Sequence, residues 1–123
     1  MIILSALIQL WHRPPAVIDQ EIKANFLYRN HVQDVKLPSS GSMFKNPSDK
    51  NLTAGQLIDH AGLKGLRIGN AMVSDRHANY MVNLGNATSS DIIRLMKKVQ
   101  ESVFDATGVQ LDPEVKIIET PSI

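Results

Sequence analysis

The chain has 123 residues, with 13 Lys and Arg against 12 Asp and Glu for a formal charge of +1, and it contains no cysteine. That length fits one hydrophobic core rather than two. The near-neutral charge and the few aromatic residues (one Trp, two Tyr, three Phe) argue against nucleic acid as a partner, and the missing thiols exclude disulfides, thiolate catalysis and cysteine-type zinc sites, which fits a reducing compartment and points to the cytoplasm.

The chain opens on MIILSALIQL, which is too short for a membrane span and lacks the basic leader of a signal peptide. Ile2, Leu4, Ala6, Ile8 and Leu10 alternate onto one face while Ile3 and Leu7 make the other face apolar, which predicts a strand covered on both sides. Such a strand at the very start, with no polar lead-in, is expected of a piece of something longer. In PPAVIDQEIKANFLYRN the prolines mark a helix start, Ile18, Ile22 and Phe26 recur at four-residue spacing, and Asp19 is set to pair with Lys23, predicting an amphipathic helix over Ala16 to Asn30. Pro38, Ser39, Ser40 and Gly41 break that pattern, so the following heptad GSMFKNP is expected to leave a loop and open a short strand.

TAGQLIDHAG predicts a compact helix over Thr53 to Ala61, with Thr53 as N-cap and Gly62 past its end. Short strands follow at Leu66 to Ile68, Ala71 to Val73 and Tyr80 to Asn83. The strongest helical signal lies over Ser89 to Thr107: Thr88 and Asp91 make a capping-box pair, Ile92, Leu95, Met96, Val99 and Val103 form one stripe, and Gly108 stops it. GVQLDPEVKIIET then predicts a last strand around Val115, Ile117 and Ile118. The sum is an α+β fold, a small mixed or antiparallel sheet covered by about three helices.

The heptad carries the chemistry. Gly41 permits a left-handed backbone or close approach to a ligand, Ser42 presents a hydroxyl able to move a proton, and Lys45 and Asn46 offer cationic and amide donors suited to a phosphate or sugar. A second reading has Ser42 and Asn46 satisfying backbone groups in a turn, with Lys45 solvated. The glycine count and Gly-Lys-Ser/Thr order of a P-loop are missing. Asp112 and Glu114 flank Pro113 as either a carboxylate pair or a solvated turn. His77, with no histidine at ligand spacing, reads better as a loop-holding residue than as a metal ligand, and Asn79 beside it leans the same way.

Taken in order, PSSGSMFKNP, then TAGQLIDHAGLKGLRIGNAMVSDRHANYMVNLGNAT, then GVQLDPEVKIIE closely resemble the C-terminal, substrate-binding domain of the UDP-N-acetylenolpyruvoylglucosamine reductase (MurB) family, over about Ile2 to Glu119. The resemblance implies a peptidoglycan-precursor flavoenzyme in which FAD, reduced by NADPH, delivers hydride to UDP-GlcNAc-enolpyruvate to give UDP-N-acetylmuramate. It implies Ser42 as the proton donor and Glu114 as the residue that orients or polarises the enolpyruvyl group. Lys45 and Asn46 are implied in substrate contact, and Lys64 and Arg67 in shaping the same cleft. The family's flavin-binding domains have no counterpart in residues 1–123, so neither FAD nor NADPH is expected on this chain, and it is expected to be inactive as a reductase by itself. A stand-alone UDP-sugar or nucleotide-binding module and a scaffolding domain are the alternatives, and a homodimer through exchange of the first strand is a further expectation. Related chains usually read Gln-Pro where Gln33 here precedes Asp34, so that loop is expected to differ.

Overall fold

A computed structural model describes residues 2–32, 36–48 and 51–118. The elements in chain order are α1 (Pro15–Val32), β1 (Ser39–Ser42), α2 (Ala54–His60), β2 (Arg67–Ile68), β3 (Ala71–Val73), β4 (Tyr80–Asn83) and α3 (Ser89–Thr107). The four strands form one antiparallel sheet in the order β1-β4-β3-β2. The α+β class and its small antiparallel sheet are as the sequence leads one to expect.

Local chemistry sets the helix ends. Thr53 Oγ1 accepts from Gln56 N–H (3.2 Å) while Gln56 Oε1 accepts from Thr53 N–H (2.8 Å), closing a capping box at the start of α2. Thr88 Oγ1 accepts from Asp91 N–H (3.1 Å) and Asp91 Oδ2 from Thr88 N–H (3.0 Å) at the start of α3. Gly108, at φ 70°, ends α3 by donating its N–H to Phe104 O (2.8 Å). The predicted stripe of α3 faces the core, with Leu95, Val99 and Val103 fully buried, each worth roughly 1.5–3 kcal/mol against exposure. Leu57 and Ile58 of α2, Ala71, Val73 and Met81 of the sheet, and Met43, Phe44 and Leu111 complete that core.

Four expectations are corrected. Residues 2–14 form no strand; among the described residues they have no sheet partner, and Ile2, Leu4, Leu7, Ile8, Leu10 and Trp11 are exposed. An apolar run on both faces codes for burial between neighbours, and here no neighbour covers it. Helix α1 forms, but not as a cover for the sheet: Val17, Ile18, Ile22, Phe26, Leu27 and Tyr28 are all exposed. Reading only the 18-22-26 stripe overlooks Val17, Leu27 and Tyr28, which spread the apolar surface around the helix axis instead of onto one face. Arg13 forms a bidentate pair with Glu21 at the start of α1 (2.8 and 2.6 Å), and Arg76 Nη1 donates to Asn30 O near its end (3.0 Å).

The heptad closes a strand instead of opening one, since β1 ends at Ser42. The predicted last strand shrinks to one bridge, Phe44 with Pro113, after which the polypeptide bends and leaves Ile117 and Ile118 exposed. Pro113 has no N–H to donate, so the ladder cannot run through it. Gln33, Asp34 and the final Glu119 and Thr120 of the expected strand lie outside the described residues.

Candidate functional site

The heptad is held on both sides by segments distant in sequence. Before it, β1 pairs with β4 through Ser39↔Val82 and Ser42↔Tyr80, so three steps along β1 match two along β4. That bulge contains Gly41 at φ 80°, a conformation an L side chain rarely adopts. The bulge turns the backbone at the point where Ser42, half-buried, leaves the sheet.

After Ser42, Asn79 takes over the pairing. Met43 N–H donates to Asn79 O (2.8 Å), Phe44 N–H donates to Asn79 Oδ1 (3.0 Å), and Asn79 Nδ2 donates to Phe44 O (2.8 Å). On the other side, Glu114 N–H donates to Met43 O (2.8 Å) and Lys45 N–H to Asp112 O (2.9 Å). Glu114 therefore sits beside the residue next to Ser42, although the two lie far apart in the sequence. Glu114 is exposed, and neither it nor Ser42 lines the two clefts described next.

Lys45 and Asn46 line a cleft of about 370 Å³ with Ser48, Gln110 and Asp112. Asn46 Oδ1 accepts from Ala54 N–H (3.0 Å), so this side chain helps cap α2 and leaves its amide NH₂ for other partners. Lys64 lines a second cleft of about 190 Å³ with Gln56, Asp59, Arg76 and His77, and its Nζ lies 2.8 Å from Asp59 Oδ2. The two clefts flank the start of α2, one through Asn46 and the other through Thr53 and Gly55. Arg67 lines neither: its Nε donates to Gly69 O and its Nη2 to Asn70 Oδ1 (both 2.6 Å), which ties it to the β2–β3 turn.

The loop from β3 to β4 delivers Asn79. Ser74, fully buried, accepts from Arg76 N–H (3.1 Å) and His77 N–H (3.3 Å) through its hydroxyl. His77 packs against Tyr80 with ring centroids 4.4 Å apart and the rings tilted by 36°, and its Nδ1 accepts from Asn79 N–H (3.3 Å). Burial, and secondarily the nearby Lys64 cation, hold the His77 pKa below its ordinary value, against a backbone hydrogen bond that raises it. A neutral imidazole matches its role as an acceptor.

The family model for the UDP-N-acetylenolpyruvoylglucosamine reductase C-terminal domain matches residues 33–118. The chain belongs to that family. It is 50% identical over 107 residues to the UDP-N-acetylenolpyruvoylglucosamine reductase of Nitrosospira multiformis, covering 87% of this chain and 30% of that protein. It is 46% identical over 109 residues to the Synechococcus sp. (strain WH7803) reductase, covering 87% and 34%. The fold superposes on the crystal structure of the Thermus caldophilus reductase with TM-score 0.71 at 38% identity, covering 88% of this chain and 37% of that one. The chain thus spans about a third of the length of the reductases it matches.

Within this domain, tertiary structure sets Glu114 beside the Met43 peptide that follows Ser42, groups Lys45 and Asn46 in a cleft that neither Ser42 nor Glu114 lines, and sets Lys64 at a neighbouring cleft and Arg67 away from both. Sequence reading missed how Asn79 grips the motif. A signal was present: Asn79 shares its alternation with buried Met81, which places an amide at a core-facing position that must find partners.

Proposed function

We propose that this chain is the substrate-binding portion of a UDP-N-acetylenolpyruvoylglucosamine reductase of peptidoglycan synthesis, acting on UDP-GlcNAc-enolpyruvate. The observation that carries the reading is the placement of the Ser42 strand end beside Glu114 by the Glu114–Met43 and Lys45–Asp112 bonds. Ser42 gives its hydroxyl proton to the carbon left electron-rich when hydride reaches the enolpyruvyl double bond, and the resulting alkoxide is reprotonated from solvent. Glu114 orients or polarises the enolpyruvyl group. Lys45 and the free amide of Asn46 bind the UDP-sugar, and Lys64 lends positive charge to the adjoining cleft. Arg67, which lines neither cleft, serves to fix the β2–β3 turn.

FAD, reduced by NADPH, supplies the hydride in the full reductase. The capping boxes engage the N–H groups of Thr53 and Gln56 at α2 and of Thr88 and Asp91 at α3, and Asn46 takes that of Ala54, so the protein's own side chains use part of the donor set that a flavin diphosphate would need at those two helix starts. The flavin belongs to the portion of the reductases that this chain does not span, and the isolated chain is inactive. That portion also completes the site around Ser42 and Glu114. The protein works in the cytoplasm without membrane or nucleic acid, and no described helix is long and apolar enough to cross a membrane. By itself it pairs with a second copy through its exposed first segment and α1.

The test is direct. Purified chain with FAD, NADPH and substrate shows no NADPH oxidation above blank, whereas joining it to the portion of the Nitrosospira multiformis reductase that it does not span gives turnover that Ser42→Ala abolishes. Turnover by the isolated chain, or full activity in Ser42→Ala, overturns the reading. Titration of the isolated chain with UDP-GlcNAc separates a self-sufficient sugar-nucleotide module, which binds, from a half-site that needs its partner.

A further inference from the structure

Ser42 ends a short, bulged strand. Between Ser39 and Ser42 the β1–β4 register slips, and the ladder resumes at one pair, Ser42↔Tyr80, so beyond the bulge Ser42 is held by that pair and by the bonds that follow it. The next fixed points are at Met43 and Phe44, and Asn79 supplies three of the bonds there.

Asn79 is 4% exposed and Phe44 1% exposed, so water does not substitute for either partner. The carboxamide presents one acceptor to Phe44 N–H (3.0 Å) and one donor to Phe44 O (2.8 Å), the pattern of a strand peptide group built from a side chain. Its backbone carbonyl takes Met43 N–H (2.8 Å) and its N–H goes to His77 Nδ1 (3.3 Å), so every polar group of Asn79 is used, three of them on the motif. Leucine offers neither side-chain bond, glutamine is one methylene too long, and ionised aspartate sets an oxygen against the Phe44 carbonyl. Protonated aspartate alone reproduces both bonds in the same shape.

We propose that Asn79 is a positioning residue for proton delivery: its carboxamide clamps the Phe44 peptide group and thereby fixes where the Ser42 hydroxyl meets the substrate. The inference rests on the reading of Ser42 as the proton donor.

The experiment uses the reductase assembled by joining this chain to the portion of the Nitrosospira multiformis enzyme that it does not span. A misplacement of about 1 Å costs on the order of 100-fold in rate. Asn79→Leu is therefore expected to lower kcat by roughly 10- to 100-fold per folded molecule, with KM for the UDP-sugar changed less than about threefold. Its solvent deuterium isotope effect on kcat rises, because proton delivery becomes the slow step. Asn79→Asp is the second variant. Its kcat relative to the parent enzyme at the same pH recovers as pH is lowered from about 8 to about 5.5, since burial raises the aspartate pKa and the protonated form restores the donor. A structural residue would lower the unfolding midpoint while leaving kcat per folded molecule and its isotope effect unchanged. If Ser42→Ala keeps full turnover, the proton-donor reading fails. If Ser42→Ala is inactive while Asn79→Leu keeps kcat within threefold and its isotope effect, only the role of Asn79 is overturned.

Discussion

Gly69 offers a stringent test of how the sheet and α3 fit together. It lies in the turn between β2 and β3 at φ 57°, and a Cβ placed there would stand 2.5 Å from Asp91 Cγ and Oδ1 and 2.6 Å from Oδ2. Asp91 cannot simply move aside, because Oδ2 accepts from Thr88 N–H (3.0 Å) to close the α3 capping box and Oδ1 is 2.7 Å from Arg94 Nη2. Gly69→Ala therefore incurs two costs. A left-handed conformation for a residue with a Cβ costs about 1–2 kcal/mol, and giving up the N-terminal cap of α3 costs about 1 kcal/mol more. The expected loss is about 2–3 kcal/mol, read as a lower urea midpoint with unchanged m-value in far-UV circular dichroism. The double variant Gly69→Ala/Asp91→Ala separates the two, since with the carboxylate gone only backbone strain remains and the losses must be less than additive. A loss below about 0.5 kcal/mol for Gly69→Ala, the range of ordinary surface changes, or strict additivity in the double variant, would refute the close packing of this turn on α3.

The double cap of α2 predicts that Thr53→Ala and Asn46→Ala each cost about 0.5–2 kcal/mol, and that Asn46→Ala also weakens UDP-sugar binding in the assembled reductase while Thr53→Ala does not; equal effects on binding would place Asn46 outside the site. Stability is expected to fall on the acid side in two stages, followed by urea midpoint against pH. His77 has a folded pKa below its ordinary 6.5, so the stability it contributes is full above that value and is lost as pH falls below it; His77→Gln removes this upper stage. Asp91 is held below its ordinary 3.8 by hydrogen bonds at Thr88 and then by Arg94, so its contribution is present above that value and is lost at lower pH; Asp91→Asn removes the lower stage, and unchanged profiles in either variant would contradict these assignments. Trp11, the one tryptophan, is 76% exposed. Its emission should shift to the blue with rising protein concentration if the first segment mediates pairing, in step with the mass from light scattering, and a concentration-independent spectrum would remove that segment from the interface.

What the amino-acid sequence determined by itself is what short-range physics controls. The capping boxes at Thr53–Gln56 and Thr88–Asp91, the buried stripe of α3, its stop at Gly108 and the β3 and β4 spans depend on residues within a few positions of one another. The ordered motifs from Gly41 to Glu114 pointed to the family for the same reason, since they can be read without knowing what touches what. Tertiary structure alone decided which groups meet. The grip of Asn79 on Phe44 and the bond from Glu114 to Met43 join segments that no periodicity links. Nor can alternation distinguish an apolar strand that has found its neighbours from one that has not: Ile2 to Leu10 carry the pattern of a buried strand and lie exposed. Burial is a property of what packs against a residue, and the residue itself records only the need for it.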